Sequence, residues 1–430
     1  MNIRNYLFLF ACILYAWVGK VVFGGTINVP CGSDIQQAIE DAGPYSVLVF
    51  SGHEDNAQLV YDRLENAKFT KLERPPITNR RKCCVFETDE TVVVRHNGLT
   101  IRGLCLKLKD GVKRTTVLRI TAQWTILEKV RIIGNVGSVK ENEGDALISV
   151  EAGVFRMYDS IVDNANGAGI RIQPSKSSTS NLASVAIERV AGASNQGYLV
   201  SLMAGGAGGS FVVEAVRLEM LIAENAVSGG VLQIVDGSKR VFARRMRAFD
   251  SFACIQVVAE DNVQLDDNDT AILLRARFPQ ATRCRYAIYE SVSPENKNNA
   301  VQEKYLTSYR DTVARKSVQA IYSKGKSIMS YHGVLVRNAT GGEESQITLL
   351  GVLSARIFVT DVIFDGGVSR SGFFVSDAER LQLFRGQLNS DGYKFGMIFR
   401  GERPDRRNFV AAVDFSRATE QPFVFGESFR

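Results

Sequence analysis

Three short segments, Gly169-Ile-Arg-Ile172, Ile187-Glu-Arg-Val190 and Gly197-Tyr-Leu-Val200, decide how this chain folds. Each is an apolar tetrad, bounded by small or turn-forming residues. The first and third share one frame, a small residue followed by apolar positions. That frame recurs as Val117-Leu-Arg-Ile120, Ala146-Leu-Ile-Ser149, Gly230-Val-Leu-Gln233, Ala253-Cys-Ile-Gln256, Gly333-Val-Leu-Val336, Gly372-Phe-Phe-Val375 and Gly396-Met-Ile-Phe399. Between residues 146 and 253 the starts lie 23 to 33 residues apart. A period of this size means stacked units. Helical repeats would need apolar residues at i, i+3 and i+4 over ten or more positions, and these segments are too short and too β-branched. No Leu and Asn ladder of a leucine-rich repeat is present, and propeller blades would be longer and more regular. Coils of short strands remain, joined by Gly, Asn and Asp turns. Irregular coil length is tolerated there because a loop can leave the stack sideways.

The second segment belongs to another series, in which a charge follows an apolar residue: Leu127-Glu-Lys-Val130, Tyr158-Asp-Ser-Ile161, Ala243-Arg-Arg-Met246, Thr360-Asp-Val-Ile363 and Val413-Asp414-Phe415. We read it as a second strand in each unit. Its acids (Glu128, Asp159, Glu188, Glu214, Asp361 and Asp414) are predicted to share one solvated column, balanced by Lys129, Arg189 and Arg245. The expected fold class is all-β, a right-handed parallel β-helix of about ten or eleven coils, with a short N-terminal capping helix and one lateral insertion.

The chain has 430 residues, 45% of them hydrophobic, a mean hydropathy of −0.04 and a formal charge of +6. That composition supports a buried core. The basic residues are interleaved with acids, so nucleic acid is not the expected partner. Residues 1–24 read as a secretory signal peptide: Arg4, then an apolar run from Tyr6 to Gly19, then Gly24-Gly25. An uncleaved anchor is the competing reading, although the run is short for a membrane span. No later segment is long and apolar enough to cross a bilayer. Secretion permits disulfides, and six cysteines follow the signal. Cys31, Cys83, Cys84 and Cys105 are placed to staple the cap to the first coil. Cys254 and Cys284 are expected either bonded or stacked as thiols. No zinc spacing occurs. Asn268 and Asn338 stand in glycosylation sequons.

After the signal, Ser33 is expected to cap a helix over Asp34–Ala42, with Gln36 in a capping box, and Gly43-Pro44 to end it. Val47-Leu-Val-Phe50 then reads as a buried strand. The run from Asp34 to Gly52 resembles the N-terminal capping segment of the pectate-lyase-like superfamily, where a short amphipathic helix covers the open end of the stack. Across 92–430 the resemblance is one of pattern. Domain boundaries follow: 1–24 signal, 25–91 cap and loop, 92–430 β-helix. Within the last, about 285–330 is set apart as the insertion. There Val301, Tyr305, Tyr309 and Val313 fall at helical spacing.

The superfamily's enzymes cut acidic polysaccharides, which implies residues that can be sought. A lyase needs a Lys or Arg base and a cation for the uronate; a hydrolase needs paired carboxylates. Polygalacturonase-type and pectin-methylesterase-type signatures are missing, the nearest approaches being Tyr331-His332-Gly333 and Ile363-Phe-Asp-Gly366. Catalytic candidates are therefore His332, Arg337 and Arg400, predicted on one outward surface, and Asp266 and Asp267. The last two belong to an acidic turn that is also the one candidate for Ca²⁺; no other metal or cofactor is implied. An outward row of Arg119, Arg171, Gln233 and Gln256 is the candidate for holding a glycan. The expectation is a secreted or surface protein that binds or displays to extracellular glycan without catalysis. The alternative is a divergent lyase or glycoside hydrolase on an acidic polysaccharide.

Overall fold

Strands of four or five residues with alternate burial cannot stand alone; each needs a neighbour on both edges and a partner across the core. The structure, a computed structural model, describes residues 24–50, 84–112, 116–135, 146–151, 153–173, 184–203, 215–235, 240–259, 272–292, 305–400 and 409–425. The signal segment and most of the loop before Val85 lie outside these. The described strands join into one 29-stranded sheet whose pairings are parallel, wound as a right-handed β-helix.

Each coil feeds three columns of stacked strands. The first column begins with Thr26–Val29, Val47–Phe50 and Leu99–Arg102 and ends with Phe409–Asp414. A second runs from Val85–Thr88 through Cys105–Leu108 and Arg131–Ile133. The third runs from Val92–Val94 and Leu118–Ile120 to Gln421–Phe425 and holds thirteen described strands, more than the spacing of strand starts predicts. The difference has two sources. Strands such as Val92–Val94 and Gln421–Phe425 lack the small-residue marker, and Tyr286–Val292 and the start of Gln319–Ala339 fall in the stretch read as an insertion. Inward rows such as Ile101, Leu127, Met157, Ile187 and Leu218 are buried to 1% exposure or less. Each such side chain contributes roughly 1.5–3 kcal/mol.

What turns the chain is a left-handed residue. Between the first and second columns, twelve successive coils place one residue at φ between 48° and 75°, from Gly103 and Lys129 through Asp159, Arg245 and Phe278 to Ala412. Between the second and third columns, eight coils do so at φ between 47° and 71°, from Asn164 and Ser194 to Asn338 and Gly366. A side chain at positive φ costs on the order of 1–3 kcal/mol. The offset is a ladder that continues round the bend: Lys129 N–H donates to Tyr158 O (3.0 Å), Phe278 N–H to Arg310 O (2.9 Å) and Asn225 N–H to Phe249 O (3.0 Å). Small buried residues follow the second bend. Asn195 uses both ends of its amide there, accepting from Ala165 N (2.9 Å) and donating to Val162 O (3.1 Å).

This geometry revises the predicted acidic column. Glu128 and Glu188 stand on the first column, Asp159 and Asp361 at its left-handed bend, and Asp414 in the second column; Glu214 lies outside the described residues. The helix is present as α1, Ile35–Ala42, but its cap is Asp34, which accepts from Gln37 N (3.0 Å). Ser33 instead donates to Pro30 O, and Gln36 clasps both backbone groups of Val93, fixing α1 to the first coil. Cys31 and Cys84 are disulfide-bonded beside it.

Within the predicted insertion, Tyr286–Val292 and Tyr305–Arg315 are ladder strands, and Gln319 onward is another; 293–304 lie outside the described residues. The helical spacing of Tyr305, Tyr309 and Val313 gives a strand because both edges of 305–315 are taken by neighbouring coils. Tyr309 instead points inward, to a buried polar island. Glu290 accepts from Tyr309 and Tyr331 hydroxyls (2.7 Å each), from Ser323 (2.8 Å) and from Lys326 Nζ, which also donates to Thr307. Burial alone would raise the Glu290 carboxyl; the Lys326 ammonium and the two phenols outweigh it and hold the carboxylate below its usual range.

Two outcomes follow for urea denaturation. At exposed Asn225 (φ 54°), Asn225→Val is expected to lose about 1–3 kcal/mol, whereas Asn225→Gly stays near wild type. Glu290→Gln strands the Lys326 ammonium and is expected to lose about 3–5 kcal/mol.

Candidate functional site

Because the columns keep register, an outward side chain at one rung stands over its equivalent at the next, about 4.8 Å away. On the third column this aligns Arg119, Ser149, Arg171, Ser201, Gln233 and Gln256 in one row. The four predicted glycan-holding residues are thus brought together, with a serine filling the alternate rungs at first. Arg119 is engaged by Glu151 (2.9 Å), which raises its guanidinium pKa. Ser201 Oγ donates to Gln233 Oε1 (2.8 Å), and Gln233 Nε2 to Gln256 Oε1 (3.0 Å). The Ser201 hydroxyl and the Gln233 amide thus donate in one direction along the row.

The next rung is aromatic. Tyr289 follows Gln256, and Tyr322 and Thr348 follow it. The Tyr289 and Tyr322 rings stack at 5.3 Å and 11°. Tyr286 leans on Tyr289 (5.0 Å) and Phe252 on Tyr286 (5.3 Å), with the Arg285 guanidinium 5.4 Å from the Tyr286 ring. Burial raises the Tyr322 and Tyr286 phenols, so both are neutral donors at physiological pH. Sequence reasoning missed this half of the row. Its signal was present, since Ala287-Ile-Tyr289 and Ala320-Ile-Tyr322 repeat the frame of Cys254-Ile-Gln256 inside the stretch set aside as an insertion.

The catalytic candidates do not assemble. His332 lies on the first column, with Nδ1 2.9 Å from Thr360 Oγ1 and Nε2 3.0 Å from Ser330 Oγ. Arg337 is on the second column beside Asp365 (3.4 Å), and Arg400 on the third, over the Phe374 ring. The predicted shared surface assumed that Gly333-Val-Leu-Val336 begins a third-column strand; it occupies the second column instead, which separates all three. Asp266, Asp267 and Asn268 lie outside the described residues, among which no group of three or more metal-ligating side chains is found. Asn338 is exposed, at a left-handed bend.

Of the predicted disulfide residues, Cys105 is buried and not bonded to Cys31 or Cys84, and Cys83 is outside the described residues. Cys254 and Cys284 are buried thiols rather than a bonded pair. Cys254 is inside a strand, whereas Cys284 sits just after a bend, at the rung position of Ser251 in the coil before. Burial raises both thiols, Cys284 to about 11.

No family model matches the chain, and no curated protein matches it. Among solved structures, the catalytic domain of GH87 alpha-1,3-glucanase in complex with nigerose is similar over 94% of this chain and 69% of that one, at 9% identity and a TM-score of 0.42. Likeness at this level bears on neither ligand nor activity.

With both thiols protonated at neutral pH, Cys254 and Cys284 are expected to resist a disulfide reagent in the native protein at pH 8 and to react fully in guanidinium. Rapid labelling of the native protein at either residue would contradict the burial described.

Proposed function

We propose that this protein is a secreted or surface component that holds a linear extracellular glycan along the third-column row and does not cleave it. The single observation that carries the reading is the continuity of the row: hydrogen-bonding side chains from Arg119 to Gln256 pass without interruption into the Tyr289–Tyr322 stack. A polysaccharide offers hydroxyls and CH faces at regular intervals. The polar half supplies donors and acceptors to the first, and the aromatic half adds phenol hydroxyls and the apolar edges of stacked rings for the second. The Cys31–Cys84 disulfide fits an oxidising compartment, as does the N-terminal signal reading. Among the described residues no helix is long and apolar enough to cross a membrane. The alternative, a divergent lyase or glycoside hydrolase, draws nothing from His332, Arg337 and Arg400 acting together, because they stand on three different columns.

The test is a panel of neutral and uronate polysaccharides assayed for binding by calorimetry and for turnover by both the absorbance of unsaturated ends and the release of reducing ends. Binding without turnover is expected. Tyr289→Ala with Tyr322→Ala is expected to weaken it about tenfold or more, a loss of about 1.4 kcal/mol. Turnover, or affinity unchanged in the double variant, would overturn the reading.

A further inference from the structure

The first column carries a second surface that the row does not use. Residues 240–247 and 272–277 contain six arginines and no acid. Register stacks Arg244 on Arg277 and Arg277 on Arg310, and stacks Phe242 on Arg275. All five are outward and exposed, as are Arg240 and, at the left-handed bend, Arg245 and Phe278. The two rings are 44% and 37% exposed, standing among guanidinium groups.

Elsewhere the protein neutralises such stacks. In the same row Arg102 meets Glu128 at 2.7 Å, and at the bends Asp159 meets Arg189 and Asp361 meets Arg385, each at 2.6 Å. Like charges facing one another across adjacent strands are unfavourable. Here the pattern lapses over three coils. Glu219 reaches Arg244 at 3.8 Å on one margin, and Asp311 stands at the bend on the other. Among the described residues Arg240, Arg245, Arg275, Arg277 and Arg310 have no ion-pair partner. A set of uncompensated guanidinium forks with exposed rings between them is a receptor for repeated anions on a chain that also has apolar faces.

We propose that this surface binds a sulfated linear glycan, with sulfate groups held by Arg244, Arg277 and Arg310 and sugar faces resting on Phe242 and Phe278. Three rungs and two rows exceed what a single small anion spans, so the ligand is a polymer. The disulfide-bonded cap favours an extracellular polyanion over nucleic acid. The surface is on a different column from the Tyr289–Tyr322 row, so the two sites are independent.

The experiment measures binding of the full chain to a heparin oligosaccharide, its desulfated counterpart and single-stranded DNA of equal charge, across salt concentrations. Expected are binding to the sulfated form at about 0.15 M salt, a log–log salt dependence reporting several released counterions, and at least tenfold weaker binding of the desulfated form. Arg275→Glu with Arg277→Glu should lose at least a hundredfold while leaving the melting temperature no lower, since it relieves like-charge stacking. Phe242→Ala with Phe278→Ala should lose severalfold with the salt slope unchanged. Tyr289→Ala with Tyr322→Ala should bind heparin as wild type does, which separates failure here from failure of the row. Absent heparin binding, equal binding by the charge-reversed variant, or tighter binding of DNA would each overturn the proposal.

Discussion

The stack depends on left-handed residues at its bends, one after the first column in twelve coils and a second after the next column in eight. A parallel strand cannot return to its neighbour through a hairpin, so it has to be carried round the axis. A single residue at positive φ changes direction most abruptly without breaking the ladder. With Lys129, Arg245 and Phe278 bonding backbone to backbone across successive bends, the strands on either side are held in fixed phase. Fixed phase in turn makes an outward row a defined object: the alignment of Gln233 with Gln256 and Tyr289 follows from bends that contain none of them.

This also accounts for what could be read beforehand. The apolar tetrads and their period suffice for the fold, because a stack of this kind demands little beyond alternate burial and small or turn residues between strands. The row from Arg119 to Gln256 was legible for the same reason, Arg119 and Arg171 standing third and Gln233 and Gln256 fourth in their tetrads. Column identity was not. Gly333-Val-Leu-Val336 carries the same local pattern as a third-column start, yet Gly333 serves as the bend after His332. Since Lys, Asp, Arg, Met and Phe all occupy that bend, its residue type gives no notice of where one column ends. The Tyr305–Val313 spacing misled similarly: helical periodicity in a strand arose because Tyr309 was selected to reach Glu290, a contact nineteen residues back in sequence.

The three columns differ in what they offer. The third carries a graded row, charged, then amide, then aromatic, whose members bond mainly to one another. The first balances acids against arginines up to Arg244 and then stops doing so. The interior is largely apolar, and its buried ion pair, Glu290 with Lys326, is held by five hydrogen bonds. Such an island fits one register, because a slipped coil would leave the ammonium facing methyl groups.

The bends have a consequence of their own. Those twelve and eight positions are defined by backbone dihedral more than by chemistry, since residues as different as Lys129, Asp159, Met220 and Phe278 occupy them. They form two lines down the molecule on which charge can be rewritten almost freely. Asp159 with Arg189 and Arg245 beside Phe278 are two different inscriptions on the same line. Relatives that share this scaffold can therefore diverge in what they attract while remaining identical in shape, and a designer could recode the line residue by residue without reopening the question of the fold.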